Sequence, residues 1–242
     1  MKHLATIIAL FTSSLCWSQE MDIFQNDSIY SKNKIKVRRM YHMNGTDLQK
    51  EIVTYYNSKG QKIKQYWFWN GDSDFHNVES FYYSKMNLLT SIVDSIADFG
   101  IQKTSFFYRG KTLLSQVTIN QNRDTVYFKS FPDKRTEIQR WYSDGKPYRF
   151  DTTIYEKENV KSRYYGIDYS NPQKDYNRWN YKFLNEFDKN GNLTKVWSGA
   201  QKPYSSFIQY FYDKRNLLIR KKEMYTINKR EVVLTEYSFV YQ

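Results

Sequence analysis

Phe187-Asp188-Lys189-Asn190-Gly191-Asn192-Leu193 decides how this chain is read. An aromatic residue ends one run, Gly stands four places after it, and a Leu follows two places further on. The pattern returns at Tyr56–Gly60, Tyr83–Asn87, Trp141–Gly145, Tyr155–Asn159 and Tyr212–Asn216. Tyr108-Arg-Gly-Lys-Thr112 departs from it but carries Gly110 inside the turn. The Leu recurs as Leu89, Leu114, Leu193 and Leu218. A short hairpin loop commonly closes on a residue in the left-handed region. Gly enters that region freely and Asn tolerates it, whereas other side chains meet the following carbonyl. The aromatic therefore closes an incoming strand and the Leu opens the outgoing one.

The anchors lie 27 residues apart from Tyr56 to Tyr83, 25 from Tyr83 to Tyr108, 32 from Tyr155 to Phe187 and 25 from Phe187 to Tyr212. One unit is thus two strands of about ten residues with two turns. Trp141 and Tyr155 are only 14 apart, so one of those two turns belongs to the opposite end of the sheet. Looser, more polar opposite turns are expected at 70–74, 98–100, 120–122, 170–175 and 199–203. Val78–Tyr83 and Phe207–Tyr212 read as strands aromatic on both faces. Val232–Tyr241 places Val233, Tyr237, Phe239 and Tyr241 on one face, with Glu236 and Ser238 on the other.

Composition agrees. The chain has 23 Tyr and 16 Phe in 242 residues. After Ser18 the only alanines are Ala97 and Ala200. Aromatics favour the pleated sheet, and Ala is the strongest helix former. The expected fold is all-β: an antiparallel meander of repeated hairpins in one long curled sheet. Open sheet, barrel and sandwich all satisfy the pattern. Such a sheet must curl, close or charge its edges to avoid edge-to-edge pairing.

Phe187–Leu193 and Tyr212–Leu218 resemble the YD repeats of Rhs-type proteins, and Tyr142-Ser-Asp-Gly-Lys-Pro-Tyr148 resembles MORN-like repeats of bacterial antitoxin-type proteins. The likeness touches most units from Tyr56 to the C-terminus and hardly any of residues 19–50. It implies a hairpin array that wraps or contacts something, and no active site.

The N-terminus carries its own message. Lys2 and His3 precede an apolar run from Leu4 to Leu15, the length of a secretory leader core and too short to span a bilayer. Cleavage is expected between Ser18 and Gln19, leaving residues 19–242 as one repeat domain. Cys16, the only cysteine, falls in the leader; Leu15 stands where a lipobox needs a small residue. The mature chain then has neither disulfide nor thiol chemistry. No later run is apolar enough for a transmembrane helix. The net charge is +12, or +11 without Lys2. Solubility accounts for interleaved charges; an acidic glycan, lipopolysaccharide or acidic protein would account for a basic surface. Export disfavours nucleic acid.

Catalytic and metal signatures are weak. Asp72, Asp74 and His76 share a parity, but Asn70-Gly71-Asp72 reads as a turn. Asp188–Asn192 lacks the Gly and Glu spacing of a calcium loop. There is no phosphate loop, nucleophile elbow or zinc motif, so no cofactor is expected. Trp67 and Trp69 share a strand face; with Trp141, Trp179 and Trp197 they are the candidate binding residues, because exposed aromatics beside Lys and Arg suit sugar rings and anions. The expected function is a non-catalytic binding or scaffold protein of the cell envelope, with an anionic or protein partner. An inhibitor of an exported toxin is the alternative, and a glycan-active enzyme ranks after it.

Overall fold

The computed structural model describes residues 27–242 except 45–46, 70–73, 98–99, 157–158, 168–178, 200–205 and 228–229. Among the described residues a short helix, α1 (Asp27–Lys32), precedes sixteen strands. They are β1 (Val37–Asn44), β2 (Asp47–Tyr56), β3 (Lys62–Trp69), β4 (Asn77–Tyr83), β5 (Leu89–Ile96), β6 (Gly100–Arg109), β7 (Thr112–Ile119) and β8 (Thr125–Asp133). After them come β9 (Thr136–Ser143), β10 (Lys146–Glu156), β11 (Asn159–Ile167), β12 (Trp179–Phe187), β13 (Leu193–Gly199), β14 (Ser206–Tyr212), β15 (Leu218–Ile227) and β16 (Arg230–Tyr241). Each pairs antiparallel with its sequence neighbours, and β1 pairs with β16 as well as β2. The meander therefore closes on itself as a barrel, which removes the edge problem without spending charges on it.

The turns explain the register. Gly60, Asn87, Gly191 and Asn216 all have positive φ, between 61° and 81°. The residue just after each aromatic organises the loop. In Asp213 the backbone N–H donates to Leu217 O, Asn216 N–H donates to Asp213 O, and the carboxylate Oδ1 accepts from the amides of Arg215 and Leu217. Asn57 and Asp188 repeat the whole set, and Ser84 keeps both backbone bonds while its hydroxyl accepts from the Leu88 amide alone. Asn120–Asp124 is built the same way at the other end, with Arg123 left-handed at φ 68°. That turn is as tight as the others, contrary to the looser loop expected there. The others expected at that end fall largely outside the described residues. Asp144 and Gly145 both have positive φ, as a two-residue hairpin requires. Their turn joins β9 to β10 at the end opposite the Asp188 and Asp213 turns, which accounts for the 14-residue spacing. Asn159 already belongs to β11.

Beside the aromatic anchors the ladder slips by one residue. Tyr55 faces Lys64 but Tyr56 faces Lys62, leaving Ile63 as a bulge. The same slip precedes Tyr83, Tyr108, Tyr155, Phe187 and Tyr212. Two of the bulged residues are threonines whose hydroxyls donate across the ladder, Thr90 to Tyr82 O and Thr194 to Glu186 O. Leu89, Leu193 and Leu218 pair directly with their aromatics. In the shorter Gly110 turn Leu113 takes that place and Leu114 is the bulge. A slip between Glu223 and Met224 corrects the β16 reading: Tyr237, Phe239 and Tyr241 face inward, whereas Val233 pairs with the outward Met224.

α1 caps the barrel end where these hairpins lie. Lys34 is left-handed, Ile35 N–H reaches Tyr30 O and Lys34 N–H reaches Ser31 O, so the helix stops in a Schellman motif. Tyr30 stacks on Tyr56 at 4.5 Å and packs with Ile35 and Leu217, all buried. The buried Arg38 donates to Tyr30 Oη at 3.2 Å. Gly60 lies against the helix, where a Cβ would stand 1.9 Å from Asp27 O; at Gly191 it would meet nothing.

Two stability predictions result. Gly191→Ala should cost about 1–2 kcal/mol, the strain of a left-handed Cβ, and Gly60→Ala at least twice that, because α1 must also move. Equal losses in urea titrations would mean that α1 is not seated on this turn. Asp213→Ala should cost about 2 kcal/mol for two lost turn hydrogen bonds, whereas Asp213→Asn should be nearly neutral because Asn57 and Asn120 do the same work.

Candidate functional site

The inner wall changes character around the ring. From β13 through β16 and on to β3 it carries an apolar cluster of Val196, Ile208, Tyr210, Tyr237, Phe239, Met40, Ile52 and Trp67, with Arg38, Lys50, Thr54, Gln65 and Lys221 buried beside it. The outer face of this arc carries ion pairs, Arg39–Glu51 and the Glu236 contacts of Arg220 and Lys222. Between Phe68 and Asn192 the arrangement inverts. Among the described residues no hydrophobic side chain is buried there, whereas Glu79, Thr118, Glu137, Gln139, Asp151 and Thr153 are. Tyr82, Ile101 and Phe107 on the outer face are about half exposed.

The buried polar wall is hydrogen-bonded, as burial demands. Gln65 Nε2 and Trp67 Nε1 donate to Glu79 Oε2 at 2.6 and 3.2 Å, and Thr54 Oγ1 donates to Gln65 Oε1 at 2.9 Å. Glu79 is the direct ladder partner of Asp94. Burial, then the neighbouring Asp94 charge, raises the Glu79 carboxyl; burial pushes Asp94 up to about 6. Farther round, Lys129 Nζ lies 3.1 Å from Glu137 Oε1, to which Gln139 also donates, and Arg149 pairs with Asp151 at 3.1 Å.

A cationic and aromatic site sits on the inner wall of β2 and β3, where the apolar cluster meets this polar stretch, near the far rim and away from α1. β2 places Lys50 opposite His42 on one side and Trp69 on the other. The Lys50 ammonium lies 3.8 Å from the Trp67 ring centre and 4.5 Å from that of Trp69. Trp67 is buried, whereas Trp69 is 40% exposed at the strand end. Burial lowers Lys50 to about 8. His42 stacks on Tyr237 at 4.8 Å, and burial lowers its pKa. A ring stacked on Trp69 would therefore bring an attached anion beside a desolvated ammonium.

The five tryptophans do not converge. Trp67 and Trp69 share the inner wall as their parity requires. Trp141 is on the inner wall of β9, six strands from β3, under Arg149 at 4.5 Å. Trp197 pairs with Phe207 on the outer wall, and Lys195 caps it at 3.9 Å. Trp179 faces Tyr165 in the ladder, and its side chain lies outside the described residues. Sequence reasoning missed Lys50, Arg149 and the Glu79–Asp94 pair. The available signal was parity: Lys50 alternates with Ile52 and Thr54 on the face that meets Trp67. Asp74 and His76 lie in the β3–β4 connection with Asp72 outside the described residues, and no metal-binding cluster occurs among the described residues.

No family model and no curated protein matches the chain. Among solved structures, a porin-like protein from Bacteroides uniformis superposes with a TM-score of 0.52 at 11% identity, over 86% of this chain and 96% of that one. The likeness is one of fold and agrees with the closed antiparallel barrel. Two TcdB2-TccC3 structures align at TM-score 0.31, with 8% and 14% identity over 78% and 77% of this chain; the matches span 13% and 10% of theirs. No described helix is long and apolar enough to cross a membrane.

The titrations predict a bell in stability. Lys50, and Lys62 at about 8 by burial, lose protons near pH 8 when folded but near 10.4 when unfolded. Between these values the unfolded chain binds more protons, so stability rises with pH. Burial raises Tyr83, Tyr212, Tyr237 and Tyr241 above the ordinary tyrosine value. Above pH 10 the folded chain therefore holds more protons and stability falls. A maximum near pH 10 is expected, and Lys50→Met should remove roughly 2–3 kcal/mol of the rise. An unchanged slope between pH 8 and 10 in that variant would place the Lys50 ammonium in water.

Proposed function

We propose that this chain is an exported, non-catalytic binding protein of the bacterial cell envelope whose far rim takes an anionic, ring-bearing ligand, an acidic glycan in the first instance. The observation that carries the reading is the Lys50 ammonium held against the Trp67 and Trp69 rings, with Trp69 40% exposed. Aromatic rings stack on the apolar faces of sugars, and a desolvated cation beside them discriminates for carboxylate or sulfate. Arg149 over Trp141, paired with Asp151, repeats the chemistry farther round the wall. Export rests on the apolar run of residues 4–15, and the YD-type reading rests on the hairpin motif.

Titrating the mature protein with sulfated and uronic-acid oligosaccharides, with tryptophan fluorescence as the signal, tests the proposal. Trp69→Ala and Lys50→Met should each weaken binding about tenfold or more, consistent with one aromatic or charged contact, and affinity should fall above pH 8 as Lys50 deprotonates. Indifference of the affinity to both substitutions would sink the far-rim site. The adjacent Glu79–Asp94 carboxyls favour one second reading, glycan cleavage. Release of reducing ends by the wild type and its loss in Asp94→Asn would establish it.

A further inference from the structure

The barrel sorts the chain's positive charge in a way that its sequence does not display. Six hairpins at the helix-capped end each carry an exposed lysine at the tip: Lys59, Lys85, Lys111, Lys134, Lys189 and Lys214. Arg109 and Arg135 add exposed charges to two of them, and Lys32, Lys34 and Lys36 border α1 at the same end. Among the described acids there, Asp27 and Asp133 are exposed and Asp188 and Asp213 are half-buried, so exposed lysines outnumber exposed carboxylates at this end. Asp188 and Asp213 are folded into their own turns, where their carboxylates accept backbone amides. Asp133 accepts from Arg135 N–H at 2.6 Å, and Asp213 also pairs with Arg215 at 2.8 Å. Lys59 Nζ donates to the neutral Asn87 amide oxygen and keeps its charge uncompensated. The far rim is closer to balance: Asp47, Asp74, Asp124 and Asp144 are exposed there together with Arg123, Lys146 and Arg230.

We propose that the helix-capped end is a docking face for the headgroups of an anionic lipid bilayer. Alternate turns of a closed meander all finish on one rim, so the tip lysines form a ring facing one direction. With strands about 4.8 Å apart, successive near-end tips stand roughly 10 Å from one another. That is close to the Debye length at physiological salt, so the ring acts as one basic patch. A flat anionic surface can meet every tip at once; a linear polyanion can follow only part of the ring. The far rim, with its Trp69 and Lys50 site, would then point away from the membrane. The docking face stands independently of that site.

Co-sedimentation of the mature protein with phosphatidylcholine vesicles, with and without phosphatidylglycerol as about a third of the lipid, tests the proposal. Binding is expected to the anionic vesicles alone and to fall with salt. Lys85→Gln, Lys111→Gln and Lys134→Gln together should weaken it about a hundredfold, at roughly fivefold per charge. The same loss of net charge placed at the far half of the barrel, in Lys103→Gln, Arg123→Gln and Lys146→Gln together, should leave it within about fivefold. Thermal melting of both variants confirms that they fold. No binding to anionic vesicles, equal weakening by the two variants, or tip-dependent capture of dextran sulfate but not of vesicles would each overturn the proposal. Loss of oligosaccharide binding in Trp69→Ala, with vesicle binding intact, separates the two ends.

Discussion

Five of the described hairpins, those led by Asn57, Ser84, Asn120, Asp188 and Asp213, are aimed by one short backbone device. A left-handed residue closes the reversal, an Asn, Asp or Ser three places before it accepts the loop's amides, and a one-residue bulge follows in the outgoing strand. A one-residue slip turns every later side chain to the other face of a sheet. The bulge is therefore what presents Tyr56, Tyr83 and Tyr212 to the barrel end, where α1 brings Tyr30 to meet Tyr56 and Tyr241. Remove the left-handed geometry and both the register and the seat of the helix go with it.

The closed sheet encloses two kinds of interior. One arc buries Ile, Val, Phe and Tyr around a few polar chains such as Arg38, Thr54 and Lys221. The other buries Glu79, Glu137, Gln139 and Asp151 in hydrogen bonds and ion pairs and turns Ile101 and Phe107 outward. A buried ion pair contributes little net stability, but losing one partner is costly. The polar arc is thus a poor source of stability and a strong constraint on which side chains may line it. The apolar arc supplies the hydrophobic contribution, and its inward-facing Trp67 links the two by donating to Glu79.

Much of this was legible in residues. The aromatic, the Gly or Asn four places on, and the Leu after it located hairpin turns at Gly60, Asn87, Gly191 and Asn216, because those requirements act within five residues. Parity paired Trp67 with Trp69 for the same reason. It failed for Val233, since a bulge near Leu234 is set by the partner strand β15 and not by the β16 sequence. α1 was not foreseen: six residues with no apolar period offer no helical signal, and the turn is held by Tyr56, Gly60 and Leu217 from distant strands. Lys50 was not singled out, because only the pairing of β2 with β3 brings it against Trp67 and Trp69.

The sequence by itself determined the repeated hairpin, since left-handed backbone, Asx acceptors and aromatic alternation are local properties that no distant contact can substitute for. Tertiary structure alone decided closure, because the pairing of β1 with β16 joins residues about two hundred positions apart and depends on accumulated twist over all the strands between. Closure in turn decided which face is interior. It also gathered lysines some 25 residues apart in the chain onto one rim, where their charges add.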